Sequence, residues 1–146
     1  MRLSKKAEYA LRALAVMARG GKTWSIHELS ERECIPVKYL EQILLVLRHA
    51  GVLLSRRGVG GGYSLARGAG EIALGEVIRA LDGPMAPVPC AAERPVERCT
   101  CPDPQVCPVR LAMCDFRREM DAWLDGRTLE DLARMAPEAG GLAFEI

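Results

Sequence analysis

The hydrophobic positions near the start of the chain recur at the spacing of an α-helix. Ala7, Leu11 and Leu14 follow one another at intervals of four and three residues, which places them on one helical face. Ser4 is a suitable N-cap, and the Gly-Gly pair at positions 20 and 21 is expected to end the helix. The pattern therefore predicts a first helix over residues 4–18.

Two further helices are predicted before residue 51. Ser25 and Glu28 have the spacing of a capping box, which predicts the start of a short second helix. Pro36 suits the first turn of a third helix, which we expect to run to about residue 50 and to stop at Gly51. The predicted buried face of the third helix consists of Val37, Leu40, Leu44 and Leu47.

A short β-hairpin is predicted directly after the third helix. Residues 52–55 and 63–66 are strand candidates, and the glycine-rich segment between them carries Arg56 and Arg57. A further short helix, GEVIRAL, closes this region at Gly83. Three helices, a tight turn and a basic hairpin are typical of a winged helix-turn-helix domain. The sequence therefore predicts a mostly α-helical head with a small β-hairpin wing over residues 1–83.

The second half of the chain contains one longer amphipathic pattern. Apolar residues recur there at alternating intervals of three and four, which is the spacing of a heptad seam. The seam residues are Val106, Val109, Met113, Phe116, Met120 and Trp123. We expect residues 109–146 to form a dimerisation helix, covered by a second copy of the chain, and a tail; packing within one chain is the alternative. Thr128 is expected to cap a last short helix, and the end from Ala136 to Ile146 to be loose.

Most of the cysteines lie in one proline-rich segment, residues 84–108. Because this segment buries little apolar surface, we expect disulfides or a metal centre to order it. No two cysteines have CxxC spacing, which argues against an ordinary zinc finger, whereas thiolates spread over one loop can ligate an iron–sulfur cluster. The loop cysteines are Cys90, Cys99, Cys101 and Cys107. Cys34 is expected to be a small buried residue of the head, and Cys114 a structural residue beside the seam.

Charge is divided unevenly along the chain. Residues 1–67 hold 12 Lys and Arg against 5 Asp and Glu, whereas residues 68–146 hold 8 against 14. A basic front half indicates a domain that binds a polyanion. Neither a long apolar run nor a signal-peptide pattern is present, so we expect a cytoplasmic protein, where clustered cysteines more often bind metal. His27 and His49 have no paired nucleophile or base, so an enzyme is not expected.

Candidate contacts with double-stranded DNA follow from the geometry of a winged helix-turn-helix domain. The first two turns of the third helix are expected to face base edges in the major groove, where Gln suits adenine and Glu can accept from cytosine. The candidate readers are Lys38, Tyr39, Glu41 and Gln42. The expected contacts to phosphates or the minor groove are Arg2, Lys5, Lys6, Arg56 and Arg57.

Four segments of the chain resemble one family of bacterial regulators. They are the opening MRLSKKAEYALRAL, the stretch YLEQILLVLRHAGVLLSRRGVGGGYSLAR, the helix GEVIRALDG and the cysteine cluster before a long helix. On these segments, which span nearly the whole chain, the sequence resembles the Rrf-two (Rrf2) family, which includes iron–sulfur cluster regulators and nitric-oxide-sensitive repressors. The resemblance implies a homodimer in which three loop cysteines hold a cluster that controls promoter recognition. It also implies that Glu41, Gln42 and Arg57 face the DNA.

The resemblance further implies a set of cluster ligands. The cysteines that match the family pattern are Cys90, Cys101 and Cys107. The iron–sulfur regulators have a His three residues after the last Cys, where this sequence has Arg110, and Arg cannot lose a proton to bind metal. Two residues are therefore candidates for the fourth ligand: Cys99, and Glu8 of the partner subunit. A partner carboxylate at the position of Glu8 completes the site in the nitric-oxide-sensitive relatives.

We therefore expect a DNA-binding transcriptional regulator, acting as a repressor, whose operator binding depends on a two-iron or four-iron cluster that senses iron–sulfur status, nitric oxide or redox state. The alternative is a thiol sensor without a cluster, with a regulatory disulfide between Cys99 and Cys101 or between Cys90 and Cys107. A ferredoxin-like electron carrier is disfavoured, because a carrier has no use for a basic winged head.

Overall fold

The computed structural model describes residues 2–94 and 99–136. Within these residues, six α-helices and one two-stranded antiparallel sheet follow in the order α1–α2–α3–β1–β2–α4–α5–α6. Their bounds are α1 Lys5–Gly20, α2 Ile26–Glu33, α3 Val37–His49, β1 Leu53–Arg56, β2 Gly62–Leu65, α4 Leu74–Asp82, α5 Pro108–Asp125 and α6 Leu129–Met135. Short 3₁₀ turns lie at Ala69–Glu71 and Pro89–Ala91. The prediction of a mostly helical chain with one small hairpin is confirmed; the loose end predicted beyond residue 136 lies outside the described residues.

The caps predicted for the first two helices are present. The Ser4 hydroxyl accepts a hydrogen bond from the Ala7 amide at 3.1 Å, and Gly21 ends α1 in the left-handed conformation at φ 55°. Ser25 and Glu28 form both hydrogen bonds of a capping box at the start of α2. Pro36 is the N-cap of α3, one position before the predicted first turn.

The core lies where α1 meets the other helices of the head. The face of α1 that packs inward is rich in alanine, and small side chains allow neighbouring helices to approach closely. Its fully buried residues include Ala7, Ala10, Ala13 and Leu14. From α3, the fully buried side chains are Leu40, Ile43, Leu44 and Leu47. The predicted buried face of α3 is therefore confirmed, with Ile43 added and Val37 only half-buried.

The wing is joined to the connection between α1 and α2. Strand β1 pairs with β2 in antiparallel register, with Leu53 opposite Leu65, and each strand is shifted by one residue from its predicted bounds. Trp24 and Tyr63 exchange two backbone hydrogen bonds of 2.8 and 2.7 Å. Gly62 adopts φ 147° beside the Trp24 carbonyl, so a side chain at this position would overlap that carbonyl. These contacts fix the base of the hairpin to the head.

The last helix packs on the head. Leu129 at the start of α6 is fully buried, and its amide donates to the Ile72 carbonyl at 3.0 Å. The Arg19 guanidinium of α1 donates twice to the Ala133 carbonyl, at 3.0 and 2.9 Å. The predicted division into a head over 1–83, a loop over 84–108 and a dimerisation segment over 109–146 stays a prediction, and α6 contacts the head across it.

Helix α5 has one face against the head and one face exposed. Arg79 of α4 forms ion pairs with Asp121, at 3.6 Å, and with Asp125. On the other face, the side chains of Val109, Phe116 and Trp123 are 61%, 48% and 51% exposed. Among the described residues, neither this helix nor any other is long and apolar enough to span a membrane.

The prediction for Cys34 is wrong. Its side chain is exposed and not buried, and its backbone lies in the left-handed region at φ 52°. Cys34 ends α2 within the tight turn that leads to α3, and the next residue, Ile35, takes the buried position instead. The left-handed turn directs the Cys34 side chain to solvent, which the apolar character of a thiol does not reveal.

Replacing Gly62 tests the attachment of the wing. The Gly62→Ala substitution places a side chain at φ 147° against the Trp24 carbonyl, so we expect a loss of about 2–3 kcal/mol in the free energy of unfolding. The matched control is Gly21→Ala, which also has positive φ but open space around its Cα, and we expect it to cost about 1 kcal/mol. Urea denaturation followed by circular dichroism measures both. Equal losses in the two variants would show that the Trp24 contact is unimportant.

Candidate DNA interface and metal centre

The front of α3 presents a polar face to solvent. Lys38, Glu41 and Gln42 are all exposed and lie within its first two turns. Leu40 and Leu44, between and beyond them in sequence, are fully buried and fix the rotation of the helix. The structure therefore places three of the four candidate readers together on one accessible helical surface, which is the arrangement that readout in a major groove needs.

Tyr39 differs from the other three candidates. It is half-buried, and its ring packs edge-on against Tyr9 of α1, with ring centroids 5.7 Å apart at an interplanar angle of 87°. Such an edge-to-face pair stabilises the contact between two helices beyond the area it buries. Tyr39 therefore joins α1 to α3 and is less accessible than the other three residues, and its contact with DNA stays a prediction.

Exposed cations lie at two other places on the head. The start of α1 carries Arg2, Lys5 and Lys6, and the wing carries Arg56 and Arg57; all five are exposed. Lys5 forms an ion pair of 2.8 Å with Glu8, whose carboxyl pKa is lowered by this hydrogen bond. Within residues 2–94 and 99–136, Lys6, Arg56 and Arg57 have no carboxylate partner. Their charges are therefore available to phosphate groups.

The cysteine loop brings four half-buried thiols to the region between α4 and α5. Cys90 lies in the 3₁₀ turn Pro89–Ala91, and Cys107 is the N-cap of α5. The sulfur atoms of Cys99 and Cys101 are 2.7 Å apart, too far for a disulfide bond of about 2.05 Å. All six cysteines are free thiols, and Cys114 is half-buried within α5.

The thiols of the loop influence one another. The hydrogen bond with Cys99 raises the pKa of Cys101 to about 12, with burial and Cys107 adding to the effect. The same hydrogen bond lowers the pKa of Cys99, and burial raises the pKa of Cys90, with the nearby Cys99 adding to it. The shifts in the pKa values link Cys90, Cys99, Cys101 and Cys107, so the four thiols form one interacting group.

The four thiols are a donor set that can hold an iron–sulfur cluster. Among the described residues, no three His, Cys, Asp or Glu side chains converge as the ligands of one ion must. An iron–sulfur cluster is wider than one ion, so its ligands stand further apart, and it prefers the soft thiolates that this loop supplies. The chemistry of the four thiols therefore fits a cluster.

Arg110 has a part in this loop that its sequence position did not reveal. Its Nε donates to the Cys90 carbonyl at 3.1 Å, and its Nη1 donates to the Pro104 carbonyl at 3.3 Å. The sequence identified Arg110 only as a residue that cannot ligate metal. No pattern of spacing marks a side chain that binds two distant carbonyl groups, so this role becomes visible only in the structure.

Comparison with known proteins agrees with this geometry. A family model, Rrf2, described as an iron-dependent transcriptional regulator, matches residues 3–135. Protein rrf2 of Nitratidesulfovibrio vulgaris is 38% identical over 138 residues, covering 93% of this chain and 89% of that protein. The structure of CymR, the global cysteine regulator of B. subtilis, has a TM-score of 0.77 at 31% identity, over 94% of this chain and 99% of that one. The structure of T. potens IscR has a TM-score of 0.74 at 28% identity, over 97% of this chain and 93% of that one.

These likenesses cover the winged head, the cysteine loop and α5 together. They confirm the expected family and the expectation that the chain is not an enzyme. The chain belongs to the Rrf2 family of DNA-binding, winged-helix transcriptional regulators.

Proposed function

We propose that the chain is a repressor that binds its operator as a homodimer, under the control of an iron–sulfur cluster held by Cys90, Cys101 and Cys107. The observation that carries the proposal is the group of four half-buried, interacting thiols between the head and α5. Thiolates gathered in a loop with few other stabilising contacts are typical of a metal–sulfur centre.

The head supplies the contacts to the operator. Lys38, Glu41 and Gln42 on α3 read base edges, and Gln42 is the natural partner of an adenine. Arg2, Lys5, Lys6, Arg56 and Arg57 bind phosphates or enter the minor groove. Tyr39 acts differently from the other readers, because it orients α3 through its contact with Tyr9. Selectivity thus comes from α3, and most of the affinity from the surrounding cations.

The exposed face of α5 supports pairing with a second copy. Val109, Phe116 and Trp123 lie on one helical stripe and are each about half exposed or more. Large apolar side chains in a continuous row are unfavourable in water, and a symmetrical partner helix covers them most simply. Two heads joined in this way would bind half-sites about one turn of DNA apart.

The loop residues connect the cluster site to the spacing of the two heads. When bound, the cluster would supply iron that reacts with nitric oxide or oxidants. Cys90 belongs to the segment after α4, and Cys107 caps α5. If both residues bind the cluster, the segment after α4 is held next to the first turn of α5. Because α5 pairs the two copies, this restraint sets the distance between the two α3 helices.

The fourth ligand is Cys99 or Glu8 of the partner subunit, and the structure bears on the choice. Two thiolates cannot remain 2.7 Å apart, so Cys99 and Cys101 cannot both serve as ligands without separating. Glu8 is half-exposed on α1, and its contact within the chain is an ion pair with Lys5 that solvent or a metal can replace. These observations favour Glu8.

A thiol sensor without a cluster is the second candidate. The approach of the Cys99 and Cys101 sulfur atoms to 2.7 Å favours it, since oxidation would need little further movement. The likeness to CymR, the global cysteine regulator of B. subtilis, supports this candidate as much as the likeness to IscR supports the cluster. Protein purified without air distinguishes the two, because the cluster candidate requires bound iron and sulfide, whereas the thiol sensor contains neither.

Replacing Arg57 tests the role of the wing. In the Arg57→Gln variant we expect the slope of log affinity against log salt to fall by about 0.9 per protomer, because one phosphate contact is lost. The control is Arg118→Gln on α5, where an exposed arginine pairs with Asp115, and we expect no change in its slope. Fluorescence anisotropy with operator DNA at several salt concentrations measures both. A slope unchanged by Arg57→Gln would remove the wing from the interface.

Replacing the three proposed ligands tests the control by the cluster. We expect operator affinity to differ at least tenfold between anaerobically reconstituted and cluster-free wild-type protein. The variant with Cys90, Cys101 and Cys107 all changed to Ala should lose this difference. The variant Cys34→Ser should keep it, since Cys34 is exposed and lies outside the loop. Equal affinities of the two wild-type forms at every salt concentration would be evidence against the switch.

The identity of the fourth ligand can be tested separately. We expect Glu8→Gln to change the absorption spectrum of the reconstituted protein, because an oxygen ligand to iron is removed, while Cys99→Ser leaves the spectrum as in wild type. A changed spectrum in Cys99→Ser together with an unchanged one in Glu8→Gln would assign the position to Cys99 instead.

A further inference from the structure

One guanidinium joins three separate segments of the cysteine loop. Arg110 lies in the first turn of α5, three residues after Cys107. Its Nε donates to the carbonyl of Cys90 at 3.1 Å, and its Nη1 donates to the carbonyl of Pro104 at 3.3 Å. It therefore links the start of α5 to the turn that carries Cys90 and to the part of the loop just before Cys107.

The charge of Arg110 is not neutralised by a carboxylate among the residues described. The other two arginines of α5 each have one: Arg117 pairs with Asp121 at 3.2 Å, and Arg118 pairs with Asp115. Both hydrogen bonds of Arg110 go to neutral carbonyl groups instead. Within the described residues, this positive charge is half-buried and acts on the Cys99 thiol, where it stabilises negative charge on sulfur more strongly than it would in water.

We infer that Arg110 is a positioning residue, which closes the cysteine loop and supplies the positive charge that balances its thiolates. Arg cannot lose its proton, so it fulfils this role without occupying a coordination position on iron. The balancing role rests on the proposed cluster. The closure of the loop is a property of the chain itself and can be tested without any metal.

The planar guanidinium explains why this position holds Arg and not Lys. Its donors lie in a rigid fork, so one side chain can bind two carbonyl groups that come from different segments. A Lys ammonium would retain the charge, but its flexible stem does not fix two acceptors in place. The Arg110→Lys variant therefore separates the role of charge from the role of geometry.

The test measures backbone amide hydrogen exchange by NMR in reduced, cluster-free protein. The reporters are the amides of Ala91 and Ala92, which donate to Val88 and Pro89 at 3.0 and 3.2 Å, and that of Gln105, which donates to the Asp103 carboxylate at 2.9 Å. We expect exchange at these amides to be about tenfold faster in Arg110→Gln and in Arg110→Lys than in wild type. The control Arg118→Gln should exchange as wild type does.

A second measurement concerns the reconstituted protein. We expect iron to pass to a chelator several-fold faster from Arg110→Gln than from wild type, with Arg110→Lys between them because it keeps the charge. If amide exchange in Arg110→Gln is as slow as in wild type, Arg110 does not hold the loop closed. If exchange in Arg110→Lys is as slow as in wild type, the two-donor geometry of the guanidinium is not required. Equal iron release from Arg110→Gln and wild type would overturn the balancing role. If wild type itself binds no iron, the proposed function and the balancing role both fail, and amide exchange alone decides whether Arg110 closes the loop.

Discussion

Between α4 and α5, the residues that the structure describes bury little hydrophobic surface. In the described part of this connection, Ala91 is the one hydrophobic residue that is fully buried. Apolar area removed from water is the main favourable contribution to folding, so a segment that removes so little cannot hold a fixed shape through packing. The four thiols and the hydrogen bonds of Arg110 link parts of the connection that are far apart in sequence. On the proposed function, the shape of this connection depends on what the thiols bind and on Arg110.

On the proposed function, this constraint makes the connection suitable for regulation. The head on one side is well packed around the alanine face of α1, and α5 on the other side is held to α4 by the Arg79 ion pairs. A change in the thiols would thus act on a segment with little hydrophobic packing while both neighbours stay folded. Segments that switch are drawn from regions of low local stability for this reason. The position of the loop between two folded parts therefore supports a role as a switch as much as its cysteines do.

Much of the fold could be predicted from local patterns. The capping boxes and the spacing of leucines in α3 determine helices directly, and both were confirmed. The outward turn of Cys34 and the half-burial of Tyr39 could not be predicted, because they depend on how helices meet in space. The same holds for the pairing of Trp24 with the wing. For the site, clustered cysteines and exposed cations mark its chemistry in the sequence, whereas the contacts of Arg110 join residues far apart in the chain.

Membership of the Rrf2 family establishes the winged head and its use of DNA, and the chemistry of the loop is the question that remains. The proposed function depends on the thiols of this loop holding an iron–sulfur cluster. The most direct measurement is a Mössbauer spectrum of protein purified without air, combined with its iron and acid-labile sulfide content. If the thiols hold a cluster, the spectrum shows the signals of thiolate-bound cluster iron, and the protein contains about as much sulfide as iron. Protein that contains no iron, or iron without sulfide, would contradict the proposed function.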